Sequence, residues 1–305
     1  MKKNKFLYPY CPPRICEIVN IFGSMYPEIY INEEKHISNN LPKRPDTLYH
    51  YCNEQGFKGI IESNSLWLST LRQTNDELEI IYFYNLFKHY IASQQYTPQE
   101  RYKITLLDKN FKCNLQNAFS TSFTTLKDIS WQWNEYGDKN KGFVIGFSAD
   151  KLTSEYNLPE RNFFIKLPSL LKVDYNEKSH KKILKTTISK YLTNERDTAA
   201  LALYYAKISC LCKTLKWSKE KEWRLLYFPF AHNEIEDSLY NSLSKIVKID
   251  DNKYAYKIPI NAITEIIIGS KNISTIEQVK HFLKIHFKGD VSKIKVHCSR
   301  NHFKL

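Results

Sequence analysis

Apolar positions along this chain change period repeatedly, from two residues to between three and four, which predicts short strands interleaved with helices of unequal length. Leu48 to Cys52 reads as a strand. Glu54 to Glu62 then places Phe57, Ile60 and Ile61 at helical spacing, and Ser63-Asn64-Ser65 stops the helix before a second strand, Leu66 to Ser69. A helix is expected from Asp76 to Tyr90, capped by Thr74 or Asn75, and another from Pro98 to Leu107. Ala118 to Phe123 and Gly142 to Ser148 read as strands. Between them lie a helical turn, Ser130 to Tyr136, carrying Trp131 and Trp133, and Gly137-Asp138-Lys139-Asn140, where glycine and asparagine tolerate positive φ.

Further along, Phe163 to Leu167 and Leu171 to Tyr175 have strand patterns, and a long helical region is expected from about Ser179 to Leu215. Trp223 to Phe230, Tyr254 to Ile258, Ile263 to Ile268 and Ile294 to Cys298 are expected strands, with a helix from Thr275 to Phe287. Brief strands among unequal helices favour an α+β architecture over a regular parallel sheet. Residues 1 to 46 carry several prolines and little periodicity and read as an accessory segment, leaving 47 to 305 as a single domain with a helical insertion at about 179 to 215.

With 305 residues and 42% apolar content the chain is long enough for a substantial core. It has no run of eighteen apolar residues, and its basic amino terminus leads to Pro12 and Pro13 instead of an apolar signal core. A cytoplasmic protein with no membrane partner is therefore expected. Seven cysteines without Cys-x-x-Cys spacing read as reduced thiols, with Cys210 and Cys212 buried and inert, and no metal site is expected.

A formal net charge of +13 makes RNA or DNA an electrostatically plausible partner. Lys178, His180, Lys181, Lys182 and Lys185 form one basic run; Lys213, Lys216, Lys219 and Lys221 a second; Lys284, His286, Lys288, Lys293 and Lys295 a third. Each fits either a solvated face or a nucleic-acid track. His281, His297 and His302 fall among the last lysines as part of the same basic surface.

Three stretches carry candidate chemistry: Leu48-Tyr49-His50-Tyr51, Phe119-Ser120-Thr121-Ser122-Phe123, and Glu220-Lys221-Glu222-Trp223-Arg224. Breaking the bond between nicotinamide and ribose in NAD builds positive charge on the sugar, and a fixed anion placed there accelerates the step. Glu222, at the mouth of an apolar strand, suits a ribose hydroxyl, and Glu220, two residues earlier on the same face, could orient or deprotonate an acceptor. Arg224 continues that face and could pair with a carboxylate or meet a phosphate. His50 could donate to a ribose hydroxyl, Ser120, Thr121 and Ser122 could support the site, and Tyr49, Tyr51 or Tyr136 could stack on nicotinamide.

These three stretches occur in the chain order of the ADP-ribosyltransferase superfamily. The segment from Leu48 to Leu66 resembles the opening of its DNA- and RNA-directed members, Phe119-Ser-Thr-Ser resembles the Ser-Thr-Ser strand of the arginine-type enzymes, and Glu220-Lys-Glu222 their Glu-x-Glu. The chain thus pairs the histidine of one class with the Ser-Thr-Ser of another. The interval of roughly 100 residues between Ser122 and Glu222 requires the inserted helices.

A broader resemblance, from about 47 to 300, is to a bacterial family known as a domain of unknown function. It rests on Leu48-Tyr-His-Tyr, Asn75-Asp-Glu with Glu79, Phe119-Ser120, Trp133 with Tyr136, Gly142, Gly146-Phe147, Trp217, Glu220-x-Glu222-Trp-Arg224 and Ile266-Ile-Ile-Gly269.

These resemblances imply a split β-sheet core with inserted helices and an NAD-dependent transferase, plausible as a toxin or antiphage effector that modifies nucleic acid or protein, with room for an inhibitory partner protein. Two alternatives remain at this stage. One is a non-catalytic nucleic-acid-binding or regulatory domain, and the other a metal-dependent nuclease using Asp76, Glu77 and Glu79.

Overall fold

A computed structural model describes residues 44–71, 80–153, 168–193, 198–229 and 246–301. The chain divides into two compact units, Met1–Lys43 with Asn157–Asn162, and Arg44–Tyr156 with Phe163–Leu305. All described residues belong to the second, so all but the last three residues of the accessory segment lie outside them, as do the strand expected at 163 to 167 and the Asp76, Glu77 and Glu79 group.

Strand β1 (Thr47–Cys52) leads through the Asn53 cap, whose side chain accepts from Gly56 N at 2.7 Å, into α1 (Glu54–Ser63). Phe57, Ile60 and Ile61 are buried along one helix face, and Asn64 at φ 50 ends the helix in the left-handed conformation that asparagine tolerates. β2 (Ser65–Thr70) follows, then α2 (Ile81–Ala92) and α3 (Pro98–Leu115). The α3 start has both halves of a capping box, Thr97 with Glu100, and Pro98 opens the first turn where no amide partner is required.

Next come β3 (Phe119–Thr124), α4 (Ser130–Glu135), β4 (Phe143–Ser148), α5 (Ala149–Thr153) and β5 (Ser169–Lys172). The helices α6 (Glu177–Thr193) and α7 (Thr198–Ser209) precede β6 (Glu222–Tyr227), and β7 (Ile246–Asp250), β8 (Lys253–Lys257), β9 (Ile263–Ile268), α8 (Ile276–His286) and β10 (Lys295–Cys298) complete the described chain.

The strands form one open mixed sheet, β10-β9-β4-β1-β3-β2-β8-β7, with β6 on β3 and β5 on β6. Among the described strands β9–β10 is the parallel pair and the others are antiparallel. One face carries the main core, including Leu48, Phe57, Ile61, Leu68, Phe123, Ile145, Trp223, Leu225, Ile266 and Leu283. Tyr51, Trp133, Val144 and Ile267 make a smaller cluster, with Tyr49 packed against it. A separate aromatic core joins α2, α3 and α7, where Phe87, Phe111 and Tyr205 rings lie 5.4 to 5.7 Å apart, and Thr187 of α6 meets the Tyr205 hydroxyl at 2.5 Å.

β3 is where the sheet forks. Its β6 side is paired along all six residues, from Phe119↔Tyr227 to Thr124↔Glu222. Its other side meets β1 only at Tyr49↔Thr124 and β2 only at Ser69↔Ser120 and Thr70↔Phe119, so residues 121 to 123 lie between two diverging strands. His50 occupies the gap: its Nδ1 donates to the Ser122 carbonyl oxygen at 2.9 Å and its ring lies 5.8 Å from that of Phe123. The imidazole supplies a hydrogen bond that no ladder partner makes at that position.

Several expectations are corrected. The helical stretch 179 to 215 is α6, residues 194 to 197 outside the described set, and α7; it ends at Ser209, and Cys210 and Cys212 lie beyond it in a turn and a bridge to Asp174. Helix α3 continues eight residues past Leu107 because Ile104, Leu107, Phe111 and Leu115 maintain a buried stripe across the polar Asp108-Lys109-Asn110. β7 has no counterpart in the expected elements. In the turn at 137 to 140, Asp138, Lys139 and Asn140 take positive φ while Gly137 sits at −101°; its small size matters instead, since a Cβ there would lie 2.4 Å from the Trp133 ring.

Candidate functional site

The chain reverses at Lys221, whose φ of 48 separates a 3-10 helix, Leu215–Glu220, from β6. Glu220 is therefore not on the strand, contrary to the expectation of a shared strand face. Glu222 and Arg224, two residues apart, do share one, while Trp223, Leu225 and Tyr227 point to the core. All three charged side chains are buried, with Glu220 4%, Glu222 5% and Arg224 0% exposed.

The two carboxylates converge on Lys213, whose Nζ is 2.9 Å from Glu220 Oε2 and 2.9 Å from Glu222 Oε2. Arg224 donates from Nε to Glu222 Oε1 at 2.8 Å, from Nη2 to Glu222 Oε2 at 3.1 Å, and from Nη1 to the Cys210 carbonyl at 2.7 Å. The Tyr136 hydroxyl donates to Glu220 Oε1 at 2.6 Å, and Thr124 Oγ1 donates to the Glu220 carbonyl at 2.6 Å. Tyr175 accepts the Glu222 amide at 3.1 Å. The turn after α7, the 3-10 helix, α4, β3, β6 and the segment after β5 thus meet at two carboxylates and two cations of balanced charge.

Desolvation raises the Glu222 carboxyl, but Arg224 and Lys213 outweigh it and bring it down to about 2. Glu222 is an anion at any physiological pH. Burial, together with Glu220, pushes the Tyr136 hydroxyl far up, so it remains a donor. Lys213, of the second basic run, is 7% exposed and so is not a surface lysine; His180 of the first run is fully buried, with Nε2 3.3 Å from Asp174 Oδ2. Burial pushes the Cys212 thiol well above its ordinary value.

The strand register places the other candidates. Tyr49, Thr124 and Glu222 lie in one row across β1, β3 and β6, so Tyr49 and Tyr51 leave the sheet on the Glu222 face, as do Ser120 and Ser122. Thr121 points to the other face, between the core residues Phe119 and Phe123. His50, opposite Ile145, also leaves on that face. The structure therefore joins Tyr136 with Glu220 and Glu222 with Arg224, the two pairs linked through Lys213, puts Tyr49, Tyr51, Ser120 and Ser122 on the same side, and directs His50 and Thr121 away. Burial lowers the His50 imidazole below its ordinary value, with the Ser122 carbonyl opposing. The neutral ring donates from Nδ1 and keeps Nε2 as an acceptor.

The same row continues through Gly146 to Glu265. Glu265, 7% exposed, takes Lys127 at 2.7 Å and His297 Nε2 at 2.8 Å on one oxygen, so His297 pairs with a carboxylate instead of joining a basic surface. A charge inside the apolar run Ile263 to Ile268 is the sequence signal for that pair. Lys213, Tyr175 and Thr124 had no comparable signal. Among the described residues no group of three or more His, Cys, Asp or Glu side chains is arranged to hold a metal ion, and no helix is long and apolar enough to cross a membrane.

Fold and site together define a mixed α/β domain built around a buried ionic cluster at the head of β6. Residues 132–225 match the model of a family described as a protein of unknown function, DUF2971. The matched segment contains Tyr136, Tyr175, Cys210, Lys213, Glu220, Glu222 and Arg224, so apart from Thr124 the cluster falls within it. No curated protein and no solved structure matches the chain.

Proposed function

We propose that this domain is an NAD-consuming ADP-ribosyltransferase in which Glu222 is the anion that stabilises the ribosyl cation and Glu220 faces the acceptor. The observation that carries the reading is the adjacency of β1, β3 and β6: the strands bearing His50, Ser120 to Ser122 and Glu222 are neighbours, and the sheet forks at the β1–β3 junction. A carboxylate already ionised and fixed by Arg224 needs no reorganisation when the nicotinamide–ribose bond breaks. Lys213, shared between both carboxylates, can shift toward Glu220 and leave a Glu222 oxygen for a ribose hydroxyl. Tyr136 and Tyr49 offer rings on this face, and His50 acts from the fork by positioning β3.

The arrangement also favours a second reading. Arg224 and Lys213 engage both Glu222 oxygens in a buried pair, as a purely structural staple would, and the domain would then bind nucleic acid without chemistry.

Labelled NAD incubated with the purified protein and separate RNA, DNA and protein fractions discriminates the two. Nicotinamide release with label in one fraction supports the transferase. Ser122→Ala, at an exposed position, reports on the site without threatening the fold and should reduce turnover, while Glu222→Gln should abolish it. Wild-type protein that releases no nicotinamide with any fraction removes the proposal.

A further inference from the structure

The surface beside the cluster is basic and aromatic. Lys219 Nζ lies 4.6 Å from the Trp131 ring centroid and Lys216 Nζ 5.0 Å from that of Trp217. Trp131 meets Tyr136 edge-on at 6.4 Å, and Tyr136, 43% exposed, donates to Glu220. On the inner side, Lys213 Nζ is 5.7 Å from the Trp217 ring. The two indoles therefore flank Tyr136 and Glu220 through a continuous chain of contacts, Trp131 to Tyr136 to Glu220 to Lys213 to Trp217. Leu215, 73% exposed, extends the patch.

Among the described residues the exposed lysines here are not held in ion pairs. Several lysines elsewhere have carboxylate partners, Lys58 with Glu54, Lys181 with Glu177 and Lys248 with Asp251. Among the described residues no carboxylate pairs with Lys216, Lys219 or Lys221; two of the three lie over indoles instead. Glu135, an exposed carboxylate beside Tyr136 in the chain, accepts from Asn134. An exposed lysine over an aromatic ring is held by only about 0.5–1 kcal/mol, so an incoming base can take the ring face while the ammonium moves to a phosphate.

We propose that this surface binds single-stranded nucleic acid, with bases stacked on Trp131 and Trp217 and backbone phosphates on Lys216 and Lys219. Unpaired bases have free π-faces for such stacking, and the mode tolerates any sequence. That the strand is also the acceptor for Glu220 rests on the transferase reading; the binding does not.

The test is fluorescence anisotropy of labelled single-stranded RNA, single-stranded DNA and duplex, without NAD, between about 50 and about 200 mM salt. Absence of NAD keeps a failure here separate from a failure of the transferase reading. Each phosphate contact on a single strand contributes about −0.7 to the slope of log affinity against log salt, so Lys216→Ala with Lys219→Ala should flatten it by about 1.4. Trp131→Ala should weaken binding about tenfold with little change of slope. Circular dichroism confirms that the variants fold. The proposal is overturned if no oligonucleotide binds at low salt, if duplex is preferred, or if the double lysine variant keeps wild-type affinity and slope. Preference between the two single strands assigns RNA or DNA.

Discussion

Replacing Arg224 by methionine is expected to destabilise the protein by about 3–5 kcal/mol, the cost of leaving one member of a buried ion pair uncompensated. Arg224 is fully buried, and its hydrogen bonds include two to Glu222 and one to the Cys210 carbonyl. An independent magnitude comes from Glu222 itself. A tenfold change in proton affinity is about 1.4 kcal/mol, so a carboxyl moved from 4.5 to about 2 contributes about 3.5 kcal/mol. Because the folded value is the lower one, that contribution is complete above pH 4.5 and is lost as the pH falls toward 2. Urea titrations followed by tryptophan fluorescence, at neutral pH and near pH 3, measure both. Arg224→Met should be weak at neutral pH and should lose part of the wild-type acid sensitivity, since Lys213 alone is left to favour the ionised Glu222. A variant within about 1 kcal/mol of wild type at neutral pH, or one with an unchanged acid dependence, would refute the account of the cluster.

Gly142→Ala should fold poorly or cost several kcal/mol, because a Cβ there would lie 2.1 Å from the Cys52 carbonyl oxygen, a backbone atom that cannot swing aside; thermal unfolding reads the loss. Thr97→Ala removes half of the α3 capping box and should cost about 1 kcal/mol in the same assay. Burial lowers Lys207 to about 7, with Cys210 partly opposing. The unfolded chain keeps that proton up to about 10.5, so stability should rise with pH between about 7 and 10, and Lys207→Met should flatten the rise; urea midpoints at two pH values decide it.

The elements with one buried face were legible in the sequence. β9 was read at its observed bounds, and α1 was read through its stripe of Phe57, Ile60 and Ile61 and its Ser63-Asn64-Ser65 stop. β7 was missed because four of its five residues are exposed, so its alternation has little buried side to register. The site was half legible. Glu222 and Arg224 on one strand face follow from a period of two, but the face of His50 depends on the β1–β3 register, which no local pattern encodes. Lys213 was read as surface because lysine usually is; its burial depends on where the end of α7 docks against β6.

The cluster joins partners from Thr124 to Arg224, so it closes only once the turn after α7, α4 and the fork of β3 are already in place. We expect the contacts that bridge this separation to close after the rate-limiting step. Their stabilisation then appears mainly as a slower escape from the native state. In kinetic terms the Thr124 and Tyr136 hydroxyls act as a latch on the charges: weakening them should raise the unfolding rate while leaving the speed of folding nearly untouched.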